Sequence, residues 1–343
     1  MNCHQERLSL VSTISPRCGY GRRVRVIAPS FASVTTPKAL KCRRKKVSPI
    51  RGHQGAEVLV GLPELPRLED DGLPIANVGS YSEQKYRLVG VYASLFLTAM
   101  RAKWDSLVYL DLFAGPGYAQ FKGTDNIVAA SPLTVLELSE KFDQYIFCES
   151  KIENADALDQ RCSRDYPDAD VKVISRDAND SVKEIIESMP SPGQHYTVLG
   201  FCFLDPFKMV DLKFATIEQL SKRYMDFLVL IPSGMEARRN EHKYTNPDCT
   251  IMDQFVGNSS WRDRWQQEKM ARKSFENFIV EEFGRSMQSL DYKDRGLEGT
   301  ATILLEKKNV LLYRLAFYST HNLGNKFWQE TKKSTDPQKG FPF

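Results

Sequence analysis

The chain is poor in the residues that build metal and hydrolase centres. It has five histidines and seven cysteines in 343 residues, and no two cysteines stand at metal-clamp spacing. No histidine is paired with another ligand at useful spacing, and no glycine-rich loop leads into Lys-Ser or Lys-Thr. Metal, serine-hydrolase and phosphate-loop readings therefore fail. The cysteines, at 3, 18, 42, 148, 162, 202 and 249, are odd in number and dispersed, which fits a reducing, cytoplasmic setting. Long apolar runs are missing as well. The longest, Val89 to Met100, is too short to span a bilayer, so no membrane role is expected.

Acidic residues are scarce only at one end. Residues 1–56 hold twelve Lys or Arg against a single acid, Glu6, whereas the other 287 residues carry 35 bases and 42 acids. A body of that sign has no global attraction to nucleic acid, so any such binding needs a local patch or the basic arm. The arm lacks apolar period, and disorder or sequence upstream of the true start is its first reading. An organelle transit peptide or a nucleic-acid-binding arm are the functional alternatives. Residues 57–80, rich in Pro and Gly, read as an extended lead-in. A main domain is expected over 81–330, and 331–343 as a tail.

What the chain does have is the run Leu110-Asp111-Leu112-Phe113-Ala114-Gly115-Pro116-Gly117, following Leu107-Val108-Tyr109. It reads as a buried strand ending in a carboxylate and then a glycine turn, which is how an α/β domain opens a nucleotide-type pocket. A dinucleotide site wants bare glycines around an anionic pyrophosphate. Here a carboxylate precedes the turn, and Pro116 in its middle has no N–H. Both features favour a ligand with a cationic head, such as S-adenosylmethionine.

The rhythm around this motif supports the same class. Ser82 can cap a helix to about Met100, with Tyr86, Val89, Ala93, Phe96, Leu97 and Met100 on one face. Strand patterns follow at 107–112, 145–149, 171–175, 197–204 and 226–231. Helical segments lie between them, one opening at Ser131-Pro132 and others over about 152–164, 179–188 and 212–223. Such alternation predicts a doubly wound, mostly parallel sheet. Residues 301–306 and 310–318 are joined only by Lys307-Lys308-Asn309, which is too short for a parallel crossover and must make a hairpin. A terminal antiparallel hairpin completes a seven-stranded, Rossmann-like sheet of class I methyltransferase type. Residues 233–300 exceed what a crossover needs. They read as an inserted helical lid, with Gly284 as a helix stop.

Four carboxylates close successive strands: Asp111, Glu149, Asp177 and Asp205. Glu149 can accept both hydroxyls of a ribose, and Asp177 is placed for an adenine amino group. With Asp111, Phe113, Gly115 and Gly117 they form the candidate cofactor set. Asp205-Pro206-Phe207 is the candidate catalytic set. In amino-group methyltransferases an Asp- or Asn-Pro-Pro-aromatic tetrad accepts hydrogen bonds from the target nitrogen while its ring stacks on the substrate. This chain has one proline, so a strand-ending turn with an aromatic plug is an equal reading. The stretch Tyr118 to Asn126 reads as a polar loop at the pocket rim. Cys148 and Cys202 read as core residues, and His321 as a structural residue after the last strand.

Through Asp71-Gly72-Leu73-Pro74, Lys85, Tyr92, the Asp111-to-Gly117 run, Ser131-Pro132-Leu133, Glu149 and Phe203 to Phe207, the chain resembles the three-Cys-motif partner protein family (TcmP). The likeness continues through Met235 to Asn240, Met252-Asp253, Gly257, Trp261-Arg262 and Ser319-Thr320-His321, and on to Gly324 and Lys326-Phe327-Trp328, so it covers about residues 70–330. The family's usual Gly is replaced by Ala130 and Lys208. The resemblance implies a methyltransferase-like fold and association with a three-cysteine-motif protein similar to radical S-adenosylmethionine enzymes. It leaves the reaction open. A methyltransferase of unspecified acceptor and a non-catalytic subunit of the same fold are the two readings carried forward. A nicotinamide-dependent oxidoreductase is disfavoured by Pro116 and by the hairpin.

Overall fold

The structure, a computed structural model, describes residues 65–305 and 310–334. The basic arm, the first part of the lead-in and the hairpin turn at 306–309 lie outside the described residues. In chain order the first elements are β1 (Arg67–Leu68), β2 (Ala76–Val78), α1 (Ser82–Met100), β3 (Ser106–Asp111), β4 (Tyr118–Phe121) and β5 (Ile127–Ala129). There follow α2 (Ser131–Leu136), β6 (Gln144–Glu149), α3 (Ile152–Asp165), β7 (Val171–Ser175), α4 (Val182–Ser188) and β8 (Val198–Leu204). After a 3-10 turn, Met209–Asp211, come α5 (Phe214–Leu220), β9 (Met225–Ile231), α6 (Met235–Tyr244), α7 (Ile251–Val256), α8 (Trp261–Met270) and α9 (Phe275–Gln288). A second 3-10 turn, Gly296–Gly299, leads to β10 (Ala301–Leu305), β11 (Val310–Tyr318) and α10 (Asn322–Ser334).

The main sheet has seven strands in the order β10-β11-β9-β8-β3-β6-β7. Neighbours from β9 through β7 pair in parallel, while β11 runs antiparallel to both β9 and β10. This order and the single reversed strand make a Rossmann-like sheet of class I methyltransferase type. The inner strands β3, β8 and β9 are buried along their whole length, as expected for strands covered by helices on both faces. Strand order reverses at β3, which pairs with β6 on one side and β8 on the other. A ligand crevice is expected outside the carboxyl ends of strands at such a point.

Each face has its own core. On one, α1, α2, α3 and α10 cover the sheet around Tyr92, whose ring lies 4.6–4.8 Å from those of Phe317 and Phe201. Its hydroxyl donates to the buried Asp226 at 3.1 Å. On the other face, α4, α5 and the insertion α6–α9 pack around Phe283, Trp261 and Trp265. The insertion is therefore the helical layer of that face, and none of its residues lines the cleft described below.

Local expectations differ from the structure at four places. Gly284 does not stop α9, which runs on to Gln288. A side chain at 284 would put its Cβ 2.2 Å from Asp294 Oδ2, so the glycine answers close packing. The helices α1 and α2 begin after Tyr81 and Ala130, and neither Ser82 nor Ser131 caps its helix. Ser131 turns instead to the carboxylate of Asp111. Residues 118–129 form the hairpin β4–β5 where a loop was expected. With the lead-in strands it makes a small sheet in the order β1-β5-β4-β2. Strands of two to four residues are legible only once their partners are known. Finally, α10 was not expected; it follows His321, which stands after the last strand as read and whose Nδ1 accepts from Leu323 N at 3.2 Å. No helix among the described residues is long and apolar enough to cross a membrane.

Candidate active site

Asp111 ends β3 and is completely buried. It lies in register with Phe203 of β8, so Asp205, two residues further on, closes the neighbouring strand at the same edge of the sheet. Beside Asp205 and α1 is a cleft of about 230 Å³. Gly115 and Pro116 form one wall, and Pro206 and Phe207 another. Tyr81, Tyr86 and Tyr313 supply aromatic lining. The lead-in covers the cleft through Ala76 to Gly79.

The glycine turn is held from several sides. Gly115 and Gly117 have φ of 63° and 89°, a region that L side chains avoid. Gly115 donates its N–H to Glu149 Oε2 at 2.9 Å, and Lys151 N donates to Oε1 at 2.9 Å. Glu149 thus ties the turn to the end of β6, and its oxygens keep lone pairs for a further donor. Beneath the turn lies Arg161 of α3, with no exposed surface. It donates to Pro116 O at 2.6 Å, to Pro74 O at 2.8 Å and to both carboxylate oxygens of Asp71. Its guanidinium stacks 3.9 Å from the centre of the Tyr118 ring. One buried arginine therefore fastens the lead-in to the turn, and its hydrogen bonds to Asp71 hold that carboxyl at about 2.

Burial pushes the Asp111 carboxyl up to about 7, although hydrogen bonds from Ser131, Phe113 N and Tyr109 favour its anion and the Asp205 charge opposes it. Such a group sits between protonation states near neutrality, and a cation in the cleft above it would favour the charged one. Burial, with the charges of Asp205 and Asp111, also raises the Tyr86 phenol, so it stays neutral.

Asp205 already has a partner. Lys85 Nζ of α1 donates to its Oδ2 at 2.6 Å, and the two side chains are only 9% and 16% exposed. Pro206 is buried, while the ring of Phe207 is 69% exposed at the cleft mouth with Lys208 Nζ 5.7 Å from its centre.

Of the residues singled out from sequence, Phe113, Gly115, Asp205, Pro206 and Phe207 line this one cleft. Asp111 is buried below it, and Gly117 and Glu149 brace the turn. Asp177 does not reach the cleft. It is exposed, and its Oδ1 accepts from both the backbone and side-chain nitrogens of Asn179. Two residues that matter here, Lys85 and Arg161, received no role from sequence reasoning. Each is a cation on an otherwise apolar helical stripe, beside Leu88 and Val89 in α1 and beside Leu158 and Cys162 in α3. A charge on such a stripe is a signal, because burial of an unpaired cation is too costly to persist. Among the described residues no cluster of His, Cys, Asp or Glu could hold a metal ion.

No family model and no curated protein sequence matches the chain. Solved structures with some likeness to it include a Legionella pneumophila protein (11% identity, 72% of this chain and 91% of that one, TM-score 0.41). An O-methyltransferase from Bacillus cereus in complex with SAH has 13% identity over 72% of this chain and 84% of its own, with TM-score 0.39. An O-methyltransferase from Streptomyces achromogenes in complex with SAM has 13% identity, 66% and 79% coverage, and TM-score 0.35.

Proposed function

We propose that this chain binds S-adenosylmethionine in the cleft at the end of β3 and transfers its methyl group, acting beside a three-Cys-motif protein. One observation carries the reading: a buried carboxylate, Asp111, ends β3 just before the Gly115-Pro116-Gly117 turn at the strand-order reversal, with Asp205 closing the next strand. The anionic floor and the N–H-poor turn match a sulfonium and an ammonium better than a pyrophosphate. Glu149, beside the turn, is the candidate for the ribose hydroxyls. Asp177, the sequence candidate for adenine, stands outside the cleft, so no residue is assigned to the adenine. Asp205, Pro206 and Phe207 would orient the acceptor, a nitrogen on a base, peptide or metabolite. The transfer is a direct displacement at the sulfonium carbon, and a water-poor, fixed geometry is what the protein adds to it.

A second reading, a non-catalytic subunit of the same fold, is favoured by the Lys85–Asp205 pair, which occupies the carboxylate that an acceptor would need. The two separate on methyl incorporation from labelled S-adenosylmethionine into fractionated cell extract, with and without the partner protein. The enzyme reading expects label in one fraction and a loss of at least about a hundredfold in Asp205→Asn with cofactor affinity retained. No label in any fraction from the parent chain favours the subunit.

A further inference from the structure

Lys85 supplies what the cleft is read to hold, a primary amine against the carboxylate of an Asp-Pro-aromatic turn. Its Nζ lies 2.6 Å from Asp205 Oδ2. The side chain is 9% exposed, and Tyr81, Tyr86, Tyr313 and Phe207 line the same cleft as Gly115 and Pro116. The nitrogen is thus held by a hydrogen bond, shielded from water and placed on the same side of the sheet as the glycine turn. Lys122, the other lysine at this cleft, is exposed and forms no ion pair among the described residues. From this juxtaposition we propose that Lys85 is a self-methylation site, receiving its methyl group from S-adenosylmethionine bound at the Gly115–Gly117 turn. The proposal rests on the cofactor reading above.

The step balances without any other reagent. The Lys85 ammonium gives up a proton, which passes by Asp205 to solvent, and this exposes the nitrogen lone pair. A nitrogen–carbon bond then forms as the carbon–sulfur bond breaks, and its electron pair goes to sulfur. The sulfonium becomes a neutral thioether, leaving S-adenosylhomocysteine and an N-methylated lysine. A sulfonium brought close to an ammonium repels it, and so favours the proton loss that the step requires. Methylation leaves the charge on Lys85 but removes N–H donors one by one, so a fully methylated Lys85 no longer donates a hydrogen bond to Asp205. The carboxylate could then accept one from another acceptor nitrogen.

The test is tandem mass spectrometry of the full chain after incubation, in alkaline buffer, with S-adenosylmethionine carrying a trideuterated methyl group. Calorimetry of the same ligand is run on the same preparation. The expected result is a methyl increment on Lys85, deuterated or already present from the cell, and none on Lys122. Lys85→Arg keeps a cation against Asp205 while removing the acceptor, and should bind the cofactor yet show no labelled residue at 85 or elsewhere in the cleft. Asp205→Asn should bind it and slow labelling at least about tenfold. An unmodified Lys85 in a chain that calorimetry shows to bind the cofactor overturns the proposal and leaves the cofactor reading standing. Absence of binding overturns both.

Discussion

Arg161→Ala should destabilise the fold by about 3–5 kcal/mol, the range seen when one partner of a buried ion pair is removed. The loss is more than one salt bridge. Arg161 is fully buried and supplies hydrogen bonds to Asp71, Leu73 O, Pro74 O and Pro116 O, so its removal strands a carboxylate and three carbonyls. Three of those groups lie in the lead-in and one in the glycine turn. The variant should therefore lose ligand affinity along with melting temperature, since the turn would no longer be held against the lead-in. Arg164 is the control. It meets the same Asp71 at 3.1 Å but is 46% exposed, and Arg164→Ala should cost under about 1 kcal/mol. Equal effects from the two substitutions, measured by denaturant unfolding, would show that the buried clamp is not the anchor.

The second large effect is on pH dependence, through Asp111. Its carboxyl stands at about 7 in the folded chain against 3.8 for the unperturbed group. The native state therefore binds the proton more tightly than the unfolded state does. The resulting stabilisation is full below about 4, falls as pH rises toward about 7 and is gone above that. A shift of this size corresponds to on the order of 4 kcal/mol. Asp111→Asn lacks the titrating group, so its stability relative to the parent should improve steadily across that window. Ligand binding should carry the opposite signature. A cationic head above Asp111 favours the anion, so affinity should rise with pH through about 7 and binding should release a proton. S-adenosylmethionine, with its sulfonium, should show this more strongly than the neutral-sulfur S-adenosylhomocysteine. Matching pH profiles for the parent and Asp111→Asn, in both stability and binding, would remove Asp111 from the account of the cleft.

Where apolar periodicity is strong and local, the sequence was enough. The strands at 107–112, 145–149, 171–175, 197–204 and 226–231 all lie within one residue of β3, β6, β7, β8 and β9. The three-residue connection at 307–309 correctly forced an antiparallel pair, because chain length alone forbids a crossover. What stayed hidden depends on contacts between distant segments. Neither β2 nor β4 has a readable pattern; β2 is a strand because Ala76–Val78 lies in register with Ala119–Phe121, and β4 because it pairs with both β2 and β5. Gly284 looked like a helix stop because glycine usually ends helices. In this chain it makes room for Asp294, which only the folded packing reveals. The site divides the same way. Asp111, Gly115 and Asp205 could be placed at strand ends by counting, but the 120-residue reach from Asp205 to Lys85 could not be counted. Nor could the 90-residue reach from Arg161 to Asp71.

The most direct measurement is a calorimetric titration of the purified chain at neutral pH with S-adenosylmethionine, S-adenosylhomocysteine and a nicotinamide dinucleotide. A buried carboxylate at the strand end before a proline-interrupted glycine turn should yield saturable binding of both sulfur ligands and none of the dinucleotide. Tight dinucleotide binding, with no response to either sulfur ligand, would contradict the assignment of this cleft.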